Sequence, residues 1–434
     1  MEQMLRVHKF GGAVLRSVEG FRAMVQRLRE EGERPLVVVV SALGQVTRQL
    51  EQLAHAAELG QEEVWAGVDA LVAQHHGFAQ QLLDERQYGE MAEWLEQTAQ
   101  QLREYVEGVR LTGELTPRTL DLIRAFGERW ALALTVAFLR GQGLPVSAVD
   151  ATELICTDGR HGRAQPLVEE TAQRIRQRLL PLLEPGRVVV TQGFVARSVQ
   201  GELTTMGQES SALTAALIAA LGGARELYLW TDVAGVYQCD PTLVPSAARV
   251  PQLSYEQAWQ IASAGLRLLY PPMVEVARRW GLRVSIRSAF APEAGQTWVS
   301  AEAGELPPCV VSRERVRLVC LREGEAVPWL HSVDGSTIFA RWEEVGSAWV
   351  LISSDIPVAA AVEEGTLVTV LAASEPQVAR LVQCCGQLQQ EGVPVRLWYA
   401  GRLCCFVPEE HAARLVREFW RELVGCTKHQ EAAS

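Results

Sequence analysis

Residues 36–42, LVVVVSA, form a continuous apolar, β-branched run. A strand without apolar–polar alternation is covered on both faces, which happens in parallel sheets flanked by helices. Residues 5–12, LRVHKFGG, read as a short strand that runs into a glycine turn, and residues 17–32 between the two carry helical spacing. Strand, helix, buried strand is a βαβ unit. It needs a right-handed crossover and predicts a largely parallel sheet.

The rhythm changes over residues 48–110, which are rich in Ala, Glu, Gln and Leu and poor in Gly and Pro. They predict two or more amphipathic helices forming a helical insert. His75 and His76 are neighbours on a helix, so they do not share a face, and a structural or surface role is expected. From residue 144 the α/β alternation resumes. Buried strands are predicted at 187–192 (RVVVTQ) and 226–231 (ELYLWT), an alanine-rich helix at 212–221, and a last strand at 282–287 (LRVSIR). Gly304, Pro307 and Pro308 mark a linker at 303–309. Beyond it, strands at 316–321 and 366–372, a helix at 376–391, a hairpin at 393–399 and 402–407, and a helix at 409–424 suit a small ferredoxin-like module.

At 434 residues the chain is long enough for two or three domains at about 150 residues each. Its 41 basic and 52 acidic residues leave a net charge of −11, which gives a nucleic-acid role no electrostatic support. No early secretory segment follows a basic start, and no apolar run reaches about 18 residues, so a cytosolic protein with no membrane partner is expected. The nine cysteines are odd in number and form no C-x-x-C pair, which predicts reduced, structural thiols. Only two lysines are present, Lys9 and Lys428. So strong an arginine bias reflects genomic coding, and it makes an interior lysine informative.

There is no G-x-x-x-x-G-K-[ST], so this is not a P-loop protein. A lysine followed by Gly-Gly after a strand is another way to meet phosphate, because glycines let backbone N–H groups approach the oxygens. Alone, Lys9-Phe10-Gly11-Gly12 is most often an ordinary βα turn. It is followed, however, by Ser41-Ala42-Leu43-Gly44-Gln45-Val46-Thr47, Phe126-Gly127-Glu128, Thr191-Gln192-Gly193-Phe194, Thr204-Thr205-Met206-Gly207, Thr231-Asp232-Val233-Ala234-Gly235-Val236-Tyr237, Asp240-Pro241 and Gly265-Leu266-Arg267.

In this order the set resembles the aspartokinases over residues 5–300. That family reads KFGGTS, VVSAMGGVT, GE, TQGF, TTLGRGGSD, TDVDGVYTADPR and GAKVLHP. The resemblance implies a three-layer αβα amino-acid-kinase domain over residues 1–303, with the helical insert inside it. It implies ATP with Mg²⁺ as cosubstrate and L-aspartate as acceptor, the product being 4-phospho-L-aspartate at the head of the lysine, threonine and methionine pathway. By the same resemblance Lys9 would stabilise the transferred phosphoryl group. Gly11, Gly12 and Ser41 would line the phosphates, and Thr231, Asp232, Tyr237 and Arg267 would contact the nucleotide. Thr47, Glu128 and Gln208 would bind aspartate, Glu128 through its ammonium. Residues 309–434 resemble the ACT modules that close the family's chains: 366–424 fit one module, while 314–365 are shortened and lack its usual helix. A homodimer through this region is implied.

The departures are heaviest in one motif. The family's G-R-G-G-S-D reads Gly207-Gln208-Glu209-Ser210-Ser211-Ala212 here. Its arginine clamps a substrate carboxylate and its aspartate organises the catalytic lysine; Gln208 carries no charge and Ala212 no acid. Glu209 puts a carboxylate where a glycine would flank the phosphates, at the start of a helix; its ordinary reading is a cap of that helix. The hydroxyls of KFGGTS have become Ala13 and Val14, and Thr242 has replaced an arginine. A weak or inactive paralogue with a regulatory role, and a kinase of the same fold for another small acid, are the alternatives.

Overall fold

The computed structural model describes residues 5–322, 338–344, 347–353, 362–399 and 402–424. Packing divides the chain into two units, Met1–Gly235 with Pro272–Ala301, and Val236–Pro271 with Glu302–Ser434.

In the first unit the strands are β1 (Arg6–Phe10), β2 (Leu36–Val40), β3 (Val146–Ala148), β4 (Cys156–Thr157), β5 (Val188–Gln192), β6 (Val195–Ser198), β7 (Leu203–Thr205) and β8 (Glu226–Thr231), followed by Arg283–Ser288 and Gln296–Ser300. The order across its main sheet is β3-β5-β2-β1-β8, then Arg283–Ser288 and Gln296–Ser300. The pairings from β3 to Arg283–Ser288 are parallel, and Gln296–Ser300 closes antiparallel. Every residue of β2 and β5 is buried, as an apolar run without alternation requires. β4, β6 and β7 form a small side sheet.

The helices of this unit are α1 (Gly12–Leu15), α2 (Val18–Arg29), α3 (Val46–Glu58), α4 (Val64–Leu82), α5 (Glu85–Thr112), α6 (Pro117–Gly141), α7 (Ala151–Leu154), α8 (Val168–Arg174) and α9 (Ser211–Leu221). The expected insert is α3, α4 and α5. α5 opens on an Asp84 cap that accepts from the Gln87 amide and ends at Gly113 in the left-handed region. α6 opens on a Thr116 cap with Pro117 at its first position. One apolar core joins α2–α6 to the sheet, with Phe10, Phe21, Leu50, Leu102 and Trp130 fully buried. His75 is sealed in it, its Nδ1 2.7 Å from the Leu71 carbonyl and its ring edge-on to Trp130, while His76 turns to Glu96. Both have the structural roles expected.

In the second unit an antiparallel sheet runs Ile338–Glu344, Ser347–Ser353, Cys309–Arg322, Val362–Leu371, Leu403–Val407, Arg396–Tyr399. Helices Glu375–Gln390 and Glu409–Val424 accompany it. Alternate residues of Leu403–Val407 divide between two apolar clusters. Leu403, Cys405 and Val407 join the helices, and Cys404 and Phe406 join Val316, Leu318 and Leu351. Period-two geometry with both faces covered explains this strand's wholly apolar composition. Val236–Pro271 packs here: Cys239, Val244 and Ala247 share a cluster with Leu381 and Phe419, and the Val310 amide donates to the Gln238 carbonyl at 2.7 Å. About half of the 314–365 stretch expected to be degenerate lies outside the described residues. The described cysteines are unpaired thiols and mostly buried, as expected.

Candidate active site

The parallel strands β1, β2, β5 and β8 end at Phe10, Val40, Gln192 and Thr231, so the loops that follow them share one edge of the sheet. In parallel α/β sheets the carboxyl edge is where ligands bind. Lys9, Gly11, Gly12, Ser41, Thr231 and Asp232 therefore come to one edge from separate parts of the sequence.

The turn after β1 is shaped by two glycines. A Cβ on Gly11 would meet Lys9 Nζ at 3.0 Å, so this glycine leaves room for the ammonium to fold back over the turn. A Cβ on Gly12 would come within 2.8 Å of the Gly44 carbonyl oxygen and 3.0 Å of that of Ala42, which seats the turn on the loop after β2. The Gly11 amide donates to the Trp230 carbonyl at 3.3 Å, closing β1 on β8. The expectation that both glycines offer donors to phosphate thus narrows to Gly12, whose amide meets no acceptor among the described residues. Lys9 is half-buried, and burial pulls its ammonium from 10.5 to about 8 against the opposing pull of Glu209.

The next loop leads into α3, with Thr47 on its first turn. Thr47 Oγ1 donates to Glu128 Oε1 at 3.0 Å. Glu128 sits on α6, where Gly127 allows the two helices to approach; a Cβ there would lie 3.1 Å from Ala42 Cβ and from Val46 Cγ1. Glu128 is 3% exposed, and its Oε2 is buried without a partner. Burial raises its carboxyl from 4.5 to about 8, against weaker pulls from Thr47, the backbone at Glu128 and Ala42, and the Arg124 charge. Arg124 itself pairs with Glu51.

The third loop is held from both sides. Gly193 donates to the Val40 carbonyl at 2.8 Å, and its missing Cβ would overlap Ser211 at the start of α9. The fully buried Asp121 accepts from the Thr205 amide at 3.1 Å, from Thr205 Oγ1, and from the Gly162 amide at 2.9 Å, and pairs with His161 at 3.1 Å. No sequence motif pointed to Asp121. An acid within a long helix reads as part of its solvated face.

Between these anchors the chain turns through Gly207 at φ 88° and Glu209 at φ 67°. The Ser210 amide and Oγ both donate to the Gly207 carbonyl, at 3.3 and 2.6 Å. Gln208 is exposed. Glu209 is not the cap expected. The capping position of α9 is Ser210, and Glu209 lies before it in a left-handed turn.

On the β8 side Thr231 Oγ1 donates to Asp232 at 3.1 Å, and Asp232 pairs with Arg16 at 3.1 Å. Tyr237 and Arg267 belong to the second unit. There Tyr237 is half-buried and bridges to Arg249, and Arg267 is exposed just after Gly265 at φ 119°.

The sequence pattern of the amino acid kinase family matches residues 4–288. The aspartokinase of Thermus thermophilus is 31% identical over 310 residues, covering 70% of this chain and 62% of that one. The lysine-sensitive aspartokinase 3 of Escherichia coli is 30% identical over 329 residues, 76% of this chain and 70% of that one. A chloroplastic bifunctional aspartokinase/homoserine dehydrogenase of Zea mays is 26% identical over 357 residues, of which the chain spans 39%. The chain thus covers about two fifths of such plant relatives. In three dimensions it matches E. coli aspartokinase III in complex with aspartate and ADP at a TM-score of 0.81 and 24% identity, over 97% of this chain and 100% of that one. The same enzyme with lysine and aspartate matches at 0.70.

Proposed function

The chain belongs to the amino acid kinase family, on its aspartokinase branch, and on that premise we propose that it transfers the γ-phosphoryl group of Mg-ATP to the β-carboxylate of L-aspartate. The observation that carries this reading is Glu128: a buried carboxyl with one oxygen held by Thr47 and the other without a partner. A buried polar oxygen without a partner is costly unless a ligand satisfies it. An amino acid's ammonium group is the ligand a carboxylate in that position takes.

The reaction asks little covalent chemistry of the protein. A β-carboxylate oxygen bonds to the γ-phosphorus as the bond to the bridging oxygen breaks and ADP leaves. The nucleophile is already an anion, so no base is needed, and catalysis is positioning and charge neutralisation. Lys9, folded over Gly11, is the cation for the transferred group. With its midpoint near 8 it is mostly charged at neutral pH. Gly12 and Ser41 would line the phosphates, and Thr231 and Asp232 the rest of the nucleotide. Magnesium would neutralise phosphate charge. Among the described residues no group of three His, Cys, Asp or Glu could hold a metal.

A second reading follows from Gln208. Without the family's guanidinium, aspartate's other carboxylate loses a charge-assisted contact worth about 1.5–3 kcal/mol. A weak or inactive paralogue, or a kinase for another small acid, is the rival. In the second unit we take the antiparallel sheet and its two helices as an ACT-like dimerisation region. No described helix is long and apolar enough to cross a membrane, and we take the chain to work in the cytoplasm.

The test is to incubate the protein with Mg-ATP and aspartate and trap acyl phosphate with hydroxylamine, with Lys9→Ala alongside. Aspartate-dependent hydroxamate that disappears in Lys9→Ala is expected. ATP binding without hydroxamate favours the inactive paralogue, and hydroxamate with a different acid favours another substrate.

A further inference from the structure

We propose that Arg16 is a binding residue of the nucleotide site, whose guanidinium lies across the carboxyl end of β1 and takes the polyphosphate of the nucleotide beside Lys9. This deepens the nucleotide reading of that edge and rests on it.

The first observation is where the side chain starts. Arg16 closes α1 with helical backbone, φ −77° and ψ −3°, four residues after Gly12. Residues four apart share a helix face, here about 6 Å apart along the axis. That face is turned to the loop after β2. The Gly44 amide donates to the Gly12 carbonyl at 3.2 Å, and a Cβ on Gly44 would lie 3.4 Å from Arg16 Cβ. The second observation is where the side chain ends. Its Nη2 donates to Asp232 Oδ2 at 3.1 Å, in the loop after β8. In the sheet β1 lies between β2 and β8. A side chain that begins against the β2 loop and ends on the β8 loop crosses the end of β1. The Lys9 ammonium, folded over Gly11, and the Gly12 amide stand at that same end.

The third observation is how the group is held. The backbone is fixed on both sides of Arg16. Upstream, the Val14 and Leu15 amides donate to the Gly11 carbonyl at 2.9 and 3.1 Å. Downstream, Ser17 Oγ accepts from the Gly20 amide at 3.2 Å, and a Cβ on Gly20 would overlap the Val14 carbonyl. The side chain itself is 61% exposed. Among the described residues its hydrogen-bond partner is Asp232, which occupies one nitrogen of a group with five N–H donors. Asp232 in turn accepts from Thr231 Oγ1. So exposed an ion pair adds little to stability. What it does is aim a planar fork of donors, the group that matches phosphate oxygens two at a time. The chain also lacks the arginines of the family pattern at Gln208 and Thr242, which leaves room for a cation from elsewhere.

Calorimetric titration of the full chain with Mg-ATP, Mg-ADP and adenosine reads the contact. Arg16→Ala should weaken Mg-ATP and Mg-ADP about tenfold or more, the loss of a charge-assisted hydrogen bond. Adenosine affinity and the melting temperature should stay nearly unchanged. Arg16→Lys, which keeps the charge without the fork, should fall between. Equal Mg-ATP affinity in Arg16→Ala and the unaltered protein would overturn the proposal. So would equal losses for Mg-ATP and adenosine, which mark a pair that only ties two loops together. An unaltered protein that binds no nucleotide refutes the reading of the edge as a nucleotide site and carries this inference with it. Nucleotide binding that Arg16→Ala leaves intact sinks this inference alone.

Discussion

Binding of aspartate should release a proton, and the count follows from Glu128. In the free protein burial sets its carboxyl near 8. At pH 7, one unit lower, about ten chains in eleven carry the proton there. An ammonium seated against Oε2 needs the carboxylate, so the proton must leave. About 0.9 proton should be released per aspartate at pH 7, about 0.5 at pH 8 and about 0.1 at pH 9. The complex binds fewer protons than the free protein, so affinity rises with pH. It should improve about tenfold between pH 6 and 7 and level off above 8. Calorimetric titration in two buffers of different ionisation enthalpy counts the protons from the difference in apparent heat. Glu128→Gln, which keeps the shape of the neutral acid, should bind aspartate weakly and release none. No release from the unaltered protein at pH 7, or the same release from Glu128→Gln, would refute the assignment of Glu128 as the ammonium's partner.

Three further outcomes are expected. Because the folded-state carboxyl of Glu128 lies above its ordinary 4.5, the native state holds the proton more tightly, and stability falls as pH rises from 4.5 to about 8. The full window is worth up to ~5 kcal/mol, and Glu128→Gln should flatten that part of a Tm-against-pH curve. Asp121→Asn turns an acceptor of several donors into a group that also donates; thermal melts should show a loss of about 1–3 kcal/mol, and KM for aspartate should rise as β7 loosens. Gly12→Ala drives a methyl group against the Gly44 and Ala42 carbonyls and should cost about 1–3 kcal/mol in denaturant unfolding, with weaker ATP binding as the turn lifts.

Much of the scaffold was legible because short-range rules govern it. The run Leu36–Val40 had to be a strand covered on both faces, and residues 48–110 had to be helical. Lys9, Ser41 and Thr231 were readable as edge residues because each sits at or just past the carboxyl end of a parallel strand. What escaped depends on contacts distant in sequence. Glu209 looked like a helix cap, since nothing local says that the turn closes one residue later on Ser210 or that φ is positive there. Asp121 looked like one more surface acid, and only the arrival of Thr205, 84 residues on, makes it a buried anchor. The grouping of Val236–Pro271 with the C-terminal residues rests on apolar contacts such as Cys239 with Leu381, which no periodicity announces.

Asp121 and Glu128 stand seven residues apart on one uninterrupted helix, two turns and about 10 Å along its axis. One grips the strand that feeds the Gly207–Ser211 turn, and the other is the residue proposed to face the acceptor's ammonium. The helix is thus a strut with a load at each end. If it slid along its axis, both loads would move by the same distance in the same direction. The proposed acceptor site and the Gly207–Ser211 turn would therefore share a single mechanical reference. An insertion of one residue between them would rotate one grip by about 100° away from the other.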